Sequence, residues 1–172
     1  IVAEYKLNTD ESSADWERTL DQKPTKQKTK MFGQMVDIEL GAVKLTSNGS
    51  ATLKEGGLST TDDVLTKATV VFDMASFKIA KEKGTGLFDV KTHPNSTLIL
   101  TEISDSKATG ELTIEDTSKK MDVTISSTKT KDVYTLSGSF VVNTLDFPLR
   151  DKVTEKDTNK DEIKVTFELV YN

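Results

Sequence analysis

The sequence predicts an all-β fold, because apolar and polar residues alternate with a period of two and helical periodicity is weak. The clearest examples are MDVTI at residues 121–125 and IKVTFEL at 163–169. Such alternation is typical of antiparallel strands with one face in water and one face buried. Many short strands and little helix indicate a sandwich or a barrel, and closing the sheet removes its exposed edges.

The elements follow in chain order. Strands are predicted near residues 4–7, 13–19, 32–40, 42–46, 50–54, 70–74, 97–104, 109–115, 121–125, 134–142 and 163–169. Turns are predicted at Ser47-Asn48-Gly49 and Glu55-Gly56-Gly57, and a β-bulge or sharp corner at Gly41, where the apolar phase shifts. Segments 21–30 and 151–161 are predicted connectors, the first of them mobile. One short helix is expected in the connector near residues 76–92, ending before Pro94.

Composition narrows the class of protein. The length of 172 residues suits one domain, 1–172. A net charge of −5 and a pI of about 5.0 argue against a nucleic-acid partner, which needs a basic face. The chain has no cysteine, which excludes disulfides, thiolate nucleophiles and cysteine-ligated zinc. No apolar run is long enough for a membrane span.

Three motifs suggest chemistry, and each has a simpler interpretation. KGTG at 83–86 is too short for a phosphate loop or a dinucleotide fingerprint, so a connector is predicted. His93 is the only histidine and precedes Pro94, so it is interpreted as a loop residue. DTNKDEIKVTFE at 157–168 has the acidic spacing of a calcium loop, but Glu162 stands where that loop needs glycine. We therefore predict no catalytic residue, no metal site and no cofactor, and an enzyme acting on a lipid phosphate is the weakest alternative.

Three segments carry a resemblance to a known family. They are Phe72-Asp73-Met74 at a strand end, LFDVKTHPNSTLIL at 87–100, and GELTI at 110–114 followed by a polar turn and an alternating strand to Ile125. In these segments, and in the order of landmarks along nearly the whole chain, the protein resembles the YceI-like family of lipocalin-like, polyisoprenoid-binding proteins. The resemblance implies a lipocalin-like antiparallel barrel of about eight strands whose long hydrophobic interior holds an isoprenoid chain. It also implies export to the periplasm or cell surface, and we expect a signal segment to have been removed before Ile1.

We accordingly predict a non-enzymatic carrier or sequestering protein for an isoprenoid or fatty-acyl lipid. An eight-stranded barrel is just wide enough for side chains or one slender ligand. The predicted apolar lining, placed by alternation, is Trp16, Phe32, Val36, Ile38, Val70, Phe72, Phe88, Leu98, Leu100, Met121, Val123, Phe140 and Phe167. The alternative is a structural or adaptor barrel with a solid core that acts through its surface, because periodicity alone does not separate a filled barrel from a hollow one. A homodimer is left open.

Overall fold

A computed structural model of the protein describes residues 1–79, 88–147 and 158–172. These residues form eleven β-strands and two 3₁₀ turns, Met74–Ser76 and Thr144–Asp146. The strands are β1 (Val2–Lys6), β2 (Ser13–Gln22), β3 (Thr25–Met31), β4 (Gln34–Leu40), β5 (Val43–Thr61), β6 (Val64–Asp73), β7 (Asn95–Thr101), β8 (Lys107–Ile114), β9 (Thr117–Thr130), β10 (Val133–Asn143) and β11 (Thr158–Tyr171).

Eight antiparallel strands form a closed barrel in the order β5-β2-β11-β10-β9-β8-β7-β6. β5 closes the barrel because its residues 43–51 pair with β2 and its residues 52–61 pair with β6. β1 pairs with residues 57–61 of β5 and so continues the line of β2. The predicted all-β barrel of about eight strands is confirmed.

Two small turns lie at the ends of the connector near residues 76–92, in which a short helix was predicted. The 3₁₀ turn Met74–Ser76 follows β6, and its first N–H groups are capped by the Asp73 side chain, which accepts from the N–H of Ala75. Further on, the N–H of His93 donates to the carbonyl of Asp89 at 2.9 Å and closes a single turn. Residues 80–87 of the predicted connector, which include the KGTG motif, lie outside the described residues.

The two turns predicted inside β5 are wrong, because the glycines there serve close packing. A Cβ on Gly49 would lie 2.7 Å from the Trp16 ring, and a Cβ on Gly56 would lie 2.3 Å from the carbonyl oxygen of Thr69. Glycine within a strand often marks such a close approach. The strand β5 continues through both predicted turns, and the chain reverses after it, at Asp62-Asp63, where both residues have positive φ.

β3 and β4 form a separate two-stranded sheet, which we call the ribbon (residues 25–40). The mobile connector predicted at 21–30 is therefore wrong. Gln22 pairs with Val43 and Thr25 pairs with Leu40, so two residues on each strand separate the ribbon from the β2–β5 ladder. The register continues without an extra residue. Of the two features predicted at Gly41, a bulge or a sharp corner, the bulge is therefore wrong. Pro24, which has no N–H to donate, lies in this interruption.

The core fills the barrel interior. In β2 and β8 every second residue is buried, which is the alternation expected when one face of a strand lines the interior. The most completely buried side chains near the barrel's middle include Val70, Leu98 and Val123. Neighbouring strands place these side chains side by side, since Val70 is the register partner of Leu98.

Candidate functional site

An apolar cavity lies at the end of the barrel from which β2 runs towards the ribbon. At this end β6 and β10 finish and β7 and β11 begin. The cavity is lined by Phe72, Met74, Phe77, Phe88, Ser96, Leu112, Ile114, Phe140, Val142, Ile163 and Val165. The cavity has a volume of about 30 Å³ and is therefore narrow.

Strand geometry explains why these side chains converge. β8 contributes Leu112 and Ile114, and β11 contributes Ile163 and Val165. Residues two apart in a strand point to the same face, so each of these pairs lines the interior. β10 contributes Phe140 and Val142 in the same manner.

The cavity offers no free polar group among its described lining residues. Ser96 is the only polar residue in the lining, and its hydroxyl donates to the carbonyl of Thr113 at 2.6 Å. Burying a polar ligand group without a hydrogen-bond partner costs several kcal/mol, about 2–7 depending on the reference state. The arrangement therefore favours an apolar ligand.

Four phenylalanine rings form one side of the cavity in edge-to-face contact. The ring centroids of Phe88 and Phe77 are 6.2 Å apart, those of Phe77 and Phe72 are 6.0 Å apart, and those of Phe72 and Phe140 are 6.3 Å apart. Because each ring touches the next, a change of rotamer at Phe77 would widen or narrow the space beside its neighbours. The width of the cavity thus depends on these rings.

Hydrogen bonds to neighbouring strands hold the segment that carries Phe88. The N–H of Asp89 donates to the carboxylate of Glu115 at 3.1 Å, and the N–H of Met74 donates to the carbonyl of Pro94 at 2.9 Å. These bonds tie the segment to the end of β8 and to the residues after β6. Phe88 is consequently fixed over the end of the barrel, where it is buried.

One buried ion pair lies next to the cavity. Arg18 on β2 donates from Nε and Nη2 to the two carboxylate oxygens of Asp161 on β11, at 2.8 and 2.9 Å. The Thr144 hydroxyl donates to the same carboxylate at 2.7 Å. Arg18 and Asp161 are the only charged residues among the buried ones that the structure describes. Their charges cancel, so the described interior offers no unpaired charge to a ligand.

Nine of the thirteen residues predicted for the lining are buried in the barrel: Trp16, Val70, Phe72, Phe88, Leu98, Leu100, Val123, Phe140 and Phe167. Met121 is partly buried and packs against this core. Of the thirteen, Phe72, Phe88 and Phe140 line the cavity itself. The other buried residues pack around it or deeper in the barrel, and whether they contact a ligand stays a prediction.

Phe32, Val36 and Ile38 do not lie in the barrel. All three belong to the ribbon or its turn, whose sheet is separate from the barrel. Phe32 and Val36 are exposed, and Ile38 is only partly buried. Their placement in the lining was therefore wrong, because the apolar alternation of β4 resembles that of a barrel strand.

Sequence reasoning missed eight lining residues: Met74, Phe77, Ser96, Leu112, Ile114, Val142, Ile163 and Val165. The alternation that selected Phe140 and Phe167 also runs through Val142, Ile163 and Val165, so that signal could have found them. Met74 and Phe77 follow the end of β6, where alternation stops, and no sequence signal places them.

The motifs that suggested chemistry have structural roles where the structure describes them. His93 lies in the loop before β7, with its Nε2 3.7 Å from the carboxylate of Asp116. Asp161, the fifth residue of the calcium-like spacing, forms an ion pair with Arg18. The described residues contain no cluster of histidine and acidic side chains suited to a metal. Among the same residues, no helix has the length and apolar character needed to cross a membrane.

Comparisons with known proteins agree with this architecture. A crystal structure of BcnA from Burkholderia cenocepacia superposes with a TM-score of 0.52 at 16% sequence identity, over 95% of this chain and 98% of that one. At this identity the likeness concerns the fold. A search of curated proteins found no match. The profile of the YceI-like domain matches residues 5–171, and the chain therefore belongs to the YceI-like family.

Proposed function

We propose that the protein binds an isoprenoid or similar long-chain lipid in its barrel and carries or sequesters it without chemical change. The observation that carries this proposal is the cavity at the barrel end. Among its described lining residues only Ser96 is polar, and the Ser96 hydroxyl donates to the Thr113 carbonyl. Each lipid methylene that leaves water contributes about 0.8 kcal/mol. A slender hydrocarbon chain can thus be held without any charged partner.

The narrowness of the cavity sets a condition on binding. The cavity volume is only about 30 Å³, so a long hydrocarbon chain needs more room than this conformation gives. The extra room would come from rotation of the Phe72, Phe77 and Phe88 rings, which are in mutual contact. We expect the lipid to enter at this end and to displace these rings towards the strands.

The test is extraction of the purified protein with organic solvent, followed by mass spectrometry, after expression in a host that makes isoprenoid lipids. The wild type should yield a long-chain lipid. Val142→Phe fills the cavity and should lower the lipid yield severalfold. Val141→Phe adds the same ring one residue away, on the exposed face of β10, and should leave the yield unchanged.

Overpacking a core costs about 1–3 kcal/mol, so the fold of Val142→Phe must be checked by circular dichroism. Ile163→Val, which enlarges the same cavity and costs about 0.5–1.5 kcal/mol, should retain the lipid. A lipid-free wild type, or equal yields from the Val142 and Val141 variants, would overturn the proposal.

A second candidate is a structural or adaptor barrel that acts through its surface. The observation in its favour is the close packing of the interior, where Leu98, Val123 and Leu136 are completely buried. This candidate function predicts that the solvent extract contains no lipid. It also predicts that the Val142→Phe variant binds a surface partner as the wild type does. The exported or periplasmic location stays a prediction, which fractionation of the native cells would test.

A further inference from the structure

The ribbon projects from the same end of the barrel as the cavity. Its strands continue β2 and β5 in register, and the last residues of β2 pair with the start of β11, where Ile163 and Val165 line the cavity. None of the ribbon strands pairs with the barrel sheet. The ribbon is therefore a two-stranded arm at the rim through which a ligand would enter.

The tip of the arm is apolar and strained. Phe32 occupies the turn with a φ of 51° and is 101% exposed, and it is followed by Gly33 with a φ of 80°. A bulky residue in this left-handed region is an outlier, and no packing against the part of the chain that the structure describes compensates for it here. Met31 and Met35 flank the turn and are also exposed.

The other described non-glycine residues of positive φ are all charged. Asp62 and Asp63 form the β5–β6 turn, and Glu102, Glu115 and Lys131 lie in the β7–β8, β8–β9 and β9–β10 turns. Asparagine and aspartate suit such positions, and Asn-Gly suits two-residue hairpin turns best. The ribbon tip departs from that chemistry by presenting an aromatic ring to water.

A lysine lies beside this apolar tip. The ribbon, residues 25–40, carries three lysines against Asp37 and Glu39, a net charge of +1 in a chain whose net charge is −5. Lys28 and Lys26 are the register partners of Asp37 and Glu39, whereas Lys30 stands opposite the uncharged Met35. The lysine nearest the tip is thus left available to an external anion.

We propose that the ribbon tip docks the protein on an anionic lipid bilayer. Met31, Phe32 and Met35 enter the interface between headgroups and acyl chains, and Lys30 contacts anionic headgroups. An exposed apolar cluster beside basic residues fits such a surface. This inference deepens the proposed function, because docking would bring the cavity end to the membrane, yet tip binding itself does not require a cargo.

The test is flotation with vesicles of equal parts phosphatidylglycerol and phosphatidylcholine, compared with vesicles of phosphatidylcholine alone. The wild type should float with the anionic vesicles and less with the neutral ones. Phe32→Asn should weaken binding about tenfold, the loss expected when one phenylalanine no longer enters the apolar layer. This variant creates an Asn-Gly turn, so it should fold at least as well as the wild type.

Two control variants lie at the opposite end of the barrel. Val64→Asn removes an apolar side chain that is 63% exposed beside the Asp62-Asp63 turn and should float as the wild type does. Lys131→Gln removes a turn lysine there and should also have no effect, whereas Lys30→Gln should reduce binding severalfold.

Equal flotation of Phe32→Asn and the wild type, or equal binding to neutral and anionic vesicles, would overturn the inference. A wild-type dimer by light scattering that Phe32→Asn converts to monomer, with no flotation of either, would also overturn it and assign the tip to a second copy. Val142→Phe should lose extracted lipid but still float. Failure of lipid extraction alone would therefore refute the proposed function and leave the docking result standing.

Discussion

The buried pair of Arg18 and Asp161 gives a sharp prediction about stability. Arg18 is 7% exposed and Asp161 is 0% exposed, and two charge-assisted hydrogen bonds of 2.8 and 2.9 Å join them. Arg18→Met leaves a buried carboxylate whose remaining described side-chain donor is Thr144. Asp161→Leu leaves a buried guanidinium. Each change should lower the free energy of unfolding by about 3–5 kcal/mol, because one uncompensated charge stays inside.

The double variant Arg18→Met/Asp161→Leu removes both charges and should be far more stable than the sum of the single changes implies. Thr144 keeps a partner in it, because its hydroxyl also donates to the main-chain carbonyl of residue 161 at 3.1 Å. Apolar replacement of a whole buried pair is often neutral or stabilising. We expect the double variant within about 1–2 kcal/mol of the wild type, hence a coupling of several kcal/mol.

The free energy of unfolding of the wild type, the two single variants and the double variant is measured by urea unfolding. The signal is the fluorescence of Trp16, the single tryptophan. Lys160→Met is the control, because its partner Glu162 lies 3.4 Å away on the surface and such exposed pairs contribute about 0–1 kcal/mol. Additive losses in the double variant, or single losses no larger than that of the control, would refute the reasoning.

Two further predictions concern packing and pH. Gly138→Ala should cost about 3 kcal/mol in urea unfolding, because its Cβ would lie 2.2 Å from the carbonyl oxygen of Thr124. Gly57→Ala, where the nearest atom is 3.6 Å away, should be neutral or slightly stabilising, and equal losses in the two variants would contradict the packing argument. Burial raises the pKa of Tyr171, whose hydroxyl donates to the carbonyl of Thr69 at 2.9 Å. Its contribution to stability is complete below the unfolded-state pKa of about 10 and falls as pH rises above it, so Tyr171→Phe should lose less stability than the wild type between pH 8 and 11. A parallel loss in both proteins would show that other groups cause the alkaline decline.

The barrel could be predicted from sequence wherever one strand face is buried. Segment 163–169 alternates because its apolar residues enter the interior, and it lies within β11 as expected. β3 escaped prediction because it pairs outside the barrel, so its alternation of lysine with threonine and glutamine carries no hydrophobic signal. The glycines of β5 were mistaken for turns, since sequence does not show that a tryptophan ring lies against Gly49.

The candidate site was predictable in part for the same reason. Alternation selects the correct face of a strand, which is how Phe72 and Phe140 were chosen. It does not say which end of the barrel stays open, so Val70 and Leu98 were chosen equally and lie outside the cavity lining. It also does not distinguish β4 from a barrel strand, and Val36 was misplaced on that account.

The pairing of β2 with β11 has a consequence for how the chain folds. The partners Trp16 and Val165 are far apart in sequence, whereas the remaining barrel strands pair with neighbours along the chain or across the ribbon hairpin. β11 must therefore leave the ribosome before it can pair with β2, and folding should be slow for a domain of this size. Until then the edges of β2 and β10 stay open to aggregation. Since Arg18 and Asp161 lie on this late-forming strand pair, their loss should speed unfolding more than it slows folding.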